Sequence, residues 1–130
     1  EFLDIFSEFN IAVVADDLAQ ESRQFRTDVP SGIDPLEQLA QQWQDFDGCP
    51  LALNEDKPRG QMLIDMTKKY NADAVVICMM RFCDPEEFDY PIYKPEFEAA
   101  GVRYTVLDLD IESPSLEQLR TRIQAFSEIL

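Results

Sequence analysis

The chain has 130 residues, of which 26 are acidic and 11 basic, so its formal net charge at pH 7 is −15. A chain this acidic, without a basic stripe, repels phosphate backbones, and we therefore expect no nucleic-acid partner. The length fits one domain, a hydrophobic content of 45% provides a core of ordinary size, and no apolar run is long enough to predict a membrane span.

The N-terminal part is predicted to contain a helix end, a buried strand and a loop. Glu1 stands where a chain start would have Met, and Glu1–Phe9 has the pattern of a helix already under way. We therefore expect residues 1–130 to form a single α/β domain that is a fragment of a longer chain. Ile11–Ala15 (IAVVA) is a continuous apolar run, which is typical of a parallel strand covered on both faces. The polar segment Gln20–Gly32 predicts mostly loop.

Two helices are predicted in the middle of the chain. Asp34 as N-cap and Pro35 at the first helical position begin a helix over Asp34–Phe46. Its apolar residues share one face, which we expect to be buried: Leu36, Leu39, Ala40, Trp43 and Phe46. A second helix is predicted from about Pro58 to Tyr70, and Asn71 is its expected stop. Its expected inward residues are Met62, Leu63, Met66 and Tyr70.

The C-terminal part is predicted to alternate strand and helix. In chain order we expect a strand over Ala74–Met79, a loop over Asp84–Asp89, a helix over Pro91–Ala100 ended by Gly101, a strand over Val102–Leu107 and a helix over Ser115–Leu130. The last helix carries an apolar stripe formed by Leu116, Leu119, Ile123, Phe126 and Leu130.

This order predicts a Rossmann-like or flavodoxin-like α/β fold, in which helices flank a small parallel sheet in three layers. Ligands of such folds bind beyond the carboxyl ends of the strands. The polar segments expected there are Asp16–Arg26, Arg81–Asp89 and Asp108–Pro114.

The three cysteines have no disulfide pattern, because Cys49, Cys78 and Cys83 are odd in number and irregularly spaced. They fit a reducing compartment, so we expect a cytoplasmic protein. Cys83 follows a strand and can offer a thiolate to a metal or substrate, whereas Cys78 lies inside the apolar run and should pack as a small hydrophobe. The chain has no histidine, which excludes Ser-His-Asp and Cys-His catalysis within it.

A second candidate site follows Ile11–Ala15. Asp16 and Asp17 could hold Mg²⁺, as in phosphate-accepting receiver domains, although a solvated turn explains them too and the Lys that a receiver needs is missing. Arg23 could bind a carboxylate or phosphate, and Glu21 and Ser22 could hydrogen-bond a ligand. A local salt bridge is the structural alternative, and the roles of these three residues stay open.

Four segments of the chain, taken together, resemble a known protein family. They are VVADDLAQESRQFRTDVP (Val13–Pro30), RFCDPEEFDYP (Arg81–Pro91), EAAGVRYTVLDLD (Glu98–Asp110) and QLRTRIQAF (Gln118–Phe126). In this order they resemble the C-terminal end of the 2-hydroxyacyl-CoA dehydratase family. That family includes the 2-hydroxyglutaryl-CoA dehydratase subunits and is related to benzoyl-CoA reductase subunits.

The resemblance implies a cofactor and several partners. A family subunit carries a 4Fe–4S cluster on three cysteines, and the cysteine of the FCDP loop, here Cys83, would be one of them. The other ligands would lie outside this chain. The partners would be a related second dehydratase subunit, an ATP-dependent iron–sulfur activator protein and an acyl-CoA substrate.

The resemblance also implies a reaction, the dehydration of an (R)-2-hydroxyacyl-CoA, expected to be 2-hydroxyglutaryl-CoA, to the trans-2-enoyl-CoA. One low-potential electron from the activator would form a ketyl radical at the thioester carbonyl. No catalytic residue is assigned, and the isolated domain is expected to be inactive. Whether this subunit holds the substrate or relays the electron stays open. The alternatives are a benzoyl-CoA reductase-type subunit and a non-enzymatic receiver-like or flavodoxin-like module.

Overall fold

The computed structural model describes residues 2–32, 34–52, 54–110 and 115–130. In chain order its elements are α1 (Phe2–Glu8), α2 (Ser22–Phe25), α3 (Pro35–Gln44), α4 (Arg59–Tyr70), β1 (Val75–Met80), α5 (Asp84–Ala100), β2 (Tyr104–Leu109) and α6 (Leu116–Ser127). Within these ranges, no helix combines the length and the apolar composition needed to cross a membrane. The predicted start at Glu1, and Ile111–Pro114 of the third polar segment, lie outside the described residues.

The strands β1 and β2 pair in parallel to form a two-stranded sheet, in register from Val75 opposite Tyr104 to Met80 opposite Leu109. Alternate residues of a strand point to opposite faces of the sheet, and both faces are covered by helices. The result is a helix-rich α/β domain with a small parallel sheet between helices, which confirms the predicted fold class.

The core is divided by the sheet into two apolar clusters. On one face Leu107 of β2 packs with α1 and α6, and the buried members are Ile5, Phe6, Leu107, Leu119 and Ile123. On the other face β1 packs with α4 and α5, and the buried members are Ile64, Ile77, Met79, Tyr93 and Phe97. Helices α1 and α6 thus cover one face of the sheet and α4 and α5 cover the other, which gives the three layers.

Local sequence signals end several elements where expected. The Asp34 carboxylate accepts a hydrogen bond from the Leu36 amide and caps α3. Asn71 and Gly101 end α4 and α5 in the left-handed conformation, with φ of 51° and 69°. The strand predicted at Ala74–Met79 is confirmed as β1, and the one predicted at Val102–Leu107 is confirmed two residues later, as β2.

The strand predicted at Ile11–Ala15 is wrong, because these residues take no strand pairing. Val13 and Val14 are 56% and 52% exposed, and only Ile11 reaches the core, where it packs against the α1–α6 cluster. An apolar run becomes a strand only when a neighbouring strand accepts its backbone hydrogen bonds, and the described strands pair with each other instead.

Burial of the helices departs from the prediction at three places. The apolar face of α3 exists but is not covered, since Leu36, Leu39 and Trp43 are 77%, 50% and 68% exposed. In α4 the buried apolar residue is Ile64, whereas Tyr70 at the helix end is 43% exposed. In α6 the stripe is buried at Leu119, Ile123 and Phe126, whereas Leu130 lies beyond the end of the helix and is 42% exposed. Periodicity indicates which side of a helix is apolar, whereas burial depends on a packing partner.

Candidate functional site at the carboxyl edge of the sheet

A tight turn follows β1 and delivers Cys83 to the carboxyl edge of the sheet. The Cys83 amide donates to the Met80 carbonyl at 3.1 Å, which closes a four-residue turn. Its third residue, Phe82, has a φ of 65°. The left-handed conformation costs a residue that bears a Cβ roughly 1–2 kcal/mol. Cys83 thus lies where the sequence analysis placed it, beyond the strand at the edge where ligands of α/β folds bind.

Cys83 is also the N-cap residue of α5, since its carbonyl accepts hydrogen bonds from the amides of Glu86 and Glu87, each at 3.0 Å. The predicted loop over Asp84–Asp89 is therefore wrong, and the helix begins seven residues before the predicted Pro91. The reason is local: Pro85 suits the first turn because its missing N–H needs no partner there. Acidic side chains at this end also favour a helix start, through the helix dipole.

The three cysteines occupy different environments and are all free thiols. Cys78 lies in β1 opposite Leu107, and burial raises the pKa of its thiol to about 11. It therefore stays protonated at neutral pH, in agreement with its predicted role in strand packing. Cys49 is buried in the loop between α3 and α4. Cys83 is half-buried at the start of α5 and combines partial exposure with a position at the sheet edge.

Arg59 connects the carboxyl edge of the sheet to the N-terminal polar segment Asp16–Arg26. Its side chain is only 8% exposed, and its guanidinium lies 2.6 Å from the Asp17 carboxylate and 2.9 Å from that of Glu86. It also donates to the Gly48 carbonyl at 2.8 Å. Burial opposes the charged form of Arg59, but the carboxylates of Glu86 and Asp17 outweigh it and raise the pKa of Arg59. The buried guanidinium is thus held as a cation by two carboxylates.

Asp17 is the centre of this arrangement, because Arg23 and Arg26 pair with it as well as Arg59. The Arg23 guanidinium lies 3.1 Å from the Asp17 carboxylate. The structural alternative for Arg23, a local salt bridge, is therefore what the structure contains. Since both oxygens of the Asp17 carboxylate accept from guanidinium groups, the arrangement favours ion pairing over a Mg²⁺ site at this residue.

Asp16 and Ser22 of the N-terminal candidate site take part in a local turn. The Asp16 carboxylate accepts from the amides of Leu18 and Ser22 at 3.1 and 3.2 Å. Burial disfavours its charge, but these amides and the Ser22 hydroxyl keep the pKa of Asp16 below its ordinary value. Glu21 is exposed and precedes α2 as N-cap without a side-chain hydrogen bond to it. Asp16 therefore organises a turn.

The predicted polar segments do meet in space, through three ion pairs. Arg59 links Asp17 of the first segment to Glu86 of the second, and Arg81 of the second lies 3.2 Å from the Asp110 carboxylate of the third. Arg59 was not among the predicted site residues. Its only local signal is a basic residue at the start of a helix, and nothing local indicates partners 42 and 27 residues away.

A cavity of 410 Å³ lies beside this network, between α2, α3 and the segment that follows Cys49. Its lining combines apolar and amide side chains with one guanidinium: Ala19, Arg23, Gln24, Trp43, Gln44, Phe46, Cys49, Leu51, Ala52 and Asn54. Neither Cys83 nor Glu86 lines it, so the cavity and the turn at the sheet edge are separate features.

The donor chemistry of the described residues limits what metal they can hold. Across residues 2–32, 34–52, 54–110 and 115–130, no group of three or more Cys, Asp, Glu or His side chains is placed to bind a metal ion. An iron–sulfur cluster takes thiolate ligands, and Cys83 fits as one of them because it is free, partly exposed and fixed by a turn and a helix start. Cys49 and Cys78 form no such metal-binding group with it.

Comparison with known proteins yields one family and three relatives. The whole chain, residues 1–130, matches the family described as 2-hydroxyglutaryl-CoA dehydratase, D-component. It is 53% identical over its whole length to the lactoyl-CoA dehydratase subunit beta of Anaerotignum propionicum, and 44% identical over its whole length to the (R)-phenyllactyl-CoA dehydratase beta subunit of Clostridium sporogenes. Over 92% of its length it is 32% identical to the (R)-2-hydroxyglutaryl-CoA dehydratase subunit beta of Acidaminococcus fermentans.

The chain spans about a third of each relative, covering 35%, 34% and 33% of their respective lengths. The chain therefore matches one part of each of these longer subunits.

Proposed function

Because the chain belongs to the 2-hydroxyglutaryl-CoA dehydratase D-component family, we propose that it is the C-terminal α/β domain of a beta-type subunit of a 2-hydroxyacyl-CoA dehydratase, a hydro-lyase. The structural observation that supports this proposal is the position of Cys83. The thiol stands at the carboxyl end of β1, on the turn that begins α5.

In this proposal Cys83 supplies one thiolate to a 4Fe–4S cluster, and cysteines outside this chain supply the others. When bound, such a cluster would supply one low-potential electron for the thioester carbonyl of the substrate, the chemistry that makes loss of the hydroxyl and of the β-proton feasible, with Cys83 as the ligand from this chain. The net reaction removes one water from the 2-hydroxyacyl-CoA and gives the 2-enoyl-CoA. It is redox-neutral, so the electron is returned after each turnover.

The chain's own residues fix the thiolate in place. The Cys83 amide is tied to Met80 and its carbonyl to the first turn of α5, so the backbone on both sides of the thiol is hydrogen-bonded. Arg59 then holds Glu86 of that turn against Asp17. Metal ligands fixed by such surrounding contacts bind their metal with less loss of conformational freedom.

The partners in this proposal are a related second dehydratase subunit, an ATP-dependent iron–sulfur protein as electron donor, and the acyl-CoA. The relatives are named as beta subunits, which supports an assembly of more than one subunit. We place the complex in the cytoplasm, since free cysteines fit a reducing compartment.

The three relatives differ in the acyl group of the substrate for which they are named. The identity is 53% to the lactoyl-CoA relative and 32% to the 2-hydroxyglutaryl-CoA relative. These values support a small uncharged acyl group over 2-hydroxyglutaryl, the substrate that the sequence analysis expected. We therefore propose a short-chain 2-hydroxyacyl-CoA as substrate.

The test is substrate profiling of the complete complex, assembled anaerobically from the full-length subunit, its partner and the ATP-dependent donor. Enoyl-CoA formation is measured from lactoyl-CoA, phenyllactyl-CoA and 2-hydroxyglutaryl-CoA. The proposal predicts ATP-dependent dehydration with the highest kcat/KM for lactoyl-CoA. No dehydration of any 2-hydroxyacyl-CoA, together with reduction of benzoyl-CoA, would support the related reductase activity instead.

The non-enzymatic alternative has its own test. Saturable Mg²⁺ binding, followed by the fluorescence of Trp43, would support a receiver-like module. The ion pairs of Asp17 with three arginines predict no such binding.

A further inference from the structure

Helix α3 is amphipathic, yet it turns its polar side toward the chain and its apolar side away from it. Its least exposed side chains are glutamines, and the Gln42 side chain donates to the Thr27 carbonyl at 2.7 Å. The opposite side carries apolar residues that are half or more exposed: Leu36, Leu39 and Trp43. A surface helix of a globular domain normally has the reverse arrangement, because its apolar stripe faces the core.

Helix α3 also lacks the packing that stabilises a short helix. It has ten residues, and isolated helices shorter than roughly 12–15 residues are marginally stable in water. No other described helix or strand packs extensively against it. The described chain supplies the Asp34 cap and the hydrogen bonds of glutamine side chains, each worth about 1 kcal/mol. The helix therefore needs a packing partner that the described residues do not provide.

The composition of α3 fits the centre of a protein interface. Glu37 is its only charged residue, in a chain of which 28% is charged. Few charges together with an aromatic residue are typical of interface cores. The cavity of 410 Å³ continues this apolar side, because Trp43 lines the cavity as well. We call the combined area the α3 surface, and it consists of Leu36, Leu39, Trp43, Phe46 and Leu51.

The length of the relatives indicates what covers the α3 surface. This chain covers 35%, 34% and 33% of them, so most of each such subunit lies outside the matched part. A segment tethered in the same subunit binds at a higher effective concentration than a separate protein does. An apolar surface that waited for a separate protein would also be liable to aggregate. We propose that the rest of the same subunit covers the α3 surface, an inference that rests on the proposed place of this chain in a longer subunit.

The chemistry of the α3 surface defines the segment that covers it. A charge buried against Trp43 without a partner would be costly, so the segment is apolar where it meets the indole ring. Gln44 and Asn54 line the cavity too, and their amides can pair with polar groups at the edge of the segment. The segment is thus apolar at its centre and polar at its rim.

The experiment measures hydrogen–deuterium exchange of the α3 peptide by mass spectrometry in the full-length subunit, first alone and then with its partner subunit. In the lone subunit we expect the α3 amides to exchange on the order of tenfold or more slowly than those of an unstructured peptide. Addition of the partner subunit should change nothing further.

Three results would overturn the inference. If exchange slows only when the partner subunit is added, the partner is the occupant. If it slows only at high concentration of the lone subunit, a second copy is the occupant. If α3 exchanges rapidly under all conditions, nothing covers it.

A matched pair of variants tests the face itself. Leu39→Lys and Gln41→Lys place the same charge in the same helix, on the apolar and the polar side respectively. The second lysine can pair with Asp45, four residues further on. In the full-length subunit, Leu39→Lys should bring α3 exchange near that of an unstructured peptide and lower the thermal midpoint, whereas Gln41→Lys should stay near the wild type. Equal behaviour of the two variants would contradict the inference.

Dehydratase turnover of the wild-type complex, assayed on the same preparation, separates this inference from the proposed function. A protected α3 without turnover of any 2-hydroxyacyl-CoA would refute the proposed function and leave the covered surface standing. Turnover with an unprotected α3 would refute the covered surface alone.

Discussion

The guanidinium of Arg59 lies 2.9 Å from the carboxylate of Glu86, 27 residues further along the chain. Glu86 belongs to the first turn of α5, and its amide donates to the carbonyl of Cys83. Through its second contact, Arg59 ties this turn to Asp17. The start of α5, and with it the proposed ligand, therefore depends on an ion-pair network that is far from local in sequence.

We predict that Arg59→Met strongly destabilises the fold. Asp17 keeps its pairs with Arg23 and Arg26, but the Glu86 carboxylate, only 12% exposed, loses its ion pair with Arg59. Breaking a buried pair by removing one partner costs about 3–5 kcal/mol. Urea unfolding of the 130-residue chain, followed by circular dichroism, measures the loss of unfolding free energy.

Arg120→Met is the matched control for this prediction. Arg120 also contacts two carboxylates, those of Glu8 and Glu117, but it is 36% exposed in its side chain. Water and salt screen exposed pairs, so we expect no measurable change in the unfolding midpoint. Equal losses of unfolding free energy in the two variants would show that the buried ion pairs of Arg59 stabilise the fold no more than the exposed pairs of Arg120.

We also predict that Gly60→Ala loosens the packing of α4 against α5. A Cβ at Gly60 would lie 1.7 Å from Oε2 of Glu96 and 2.7 Å from Cβ of Tyr93. Glu96 can swing away, but Tyr93 is 2% exposed in the core and cannot yield cheaply. Overpacking of this kind costs about 1–3 kcal/mol, measured by chemical unfolding.

The double variant Gly60→Ala/Glu96→Ala identifies the cause of that loss. It removes the contact with the flexible carboxylate and leaves the contact with Tyr93. Most of the destabilisation should therefore persist. Full recovery in the double variant would mean that Glu96 alone requires a glycine at position 60.

The buried Cys78 thiol predicts that the unfolding free energy falls at high pH. Burial raises its pKa from an ordinary 9.0 to about 11, so the folded chain binds this proton more tightly than the unfolded chain. Unfolding then releases a proton between these values. The stabilising contribution is complete below pH 9.0 and is lost as the pH rises through about 11.

The measurement is the unfolding free energy of wild type and Cys78→Ala across that pH range. The wild type should lose about 2 kcal/mol more than the variant, since each pKa unit corresponds to about 1.4 kcal/mol. The difference between the two proteins removes the contribution of tyrosines and lysines that titrate in the same range. Parallel pH profiles would contradict the burial of this thiol.

Local chemistry made much of the fold predictable. Asp34, Asn71 and Gly101 mark helix ends through side-chain capping or a left-handed residue, and both interactions involve near neighbours in the sequence. The apolar run around Ile77 predicted β1, and the strand predicted at Val102–Leu107 is found as β2, paired with it. The position of Cys83 just beyond a strand was predicted and is confirmed, whereas its role as a cluster ligand stays a prediction.

What could not be predicted depends on distant partners. Val13 and Val14 read as a strand, yet no described strand pairs with them, and Trp43 lies on an apolar face that nothing described covers. The pairing of Arg59 with Asp17 joins residues 42 positions apart, which no periodic pattern indicates. The early start of α5 was missed because Asp84–Asp89 was predicted as a loop and Pro91 as the helix start, whereas the helix accommodates Pro91 and Pro95 in its interior.

The central claim is that Cys83, and not Cys78, ligates a cluster. The direct measurement is iron and acid-labile sulfide in the full-length subunit, purified anaerobically with its partner, as wild type, Cys83→Ser and Cys78→Ser. The account predicts that Cys83→Ser loses iron and sulfide while Cys78→Ser keeps both. A full complement of iron and sulfide in Cys83→Ser would contradict the account, because the thiol at the sheet edge would then hold no cluster.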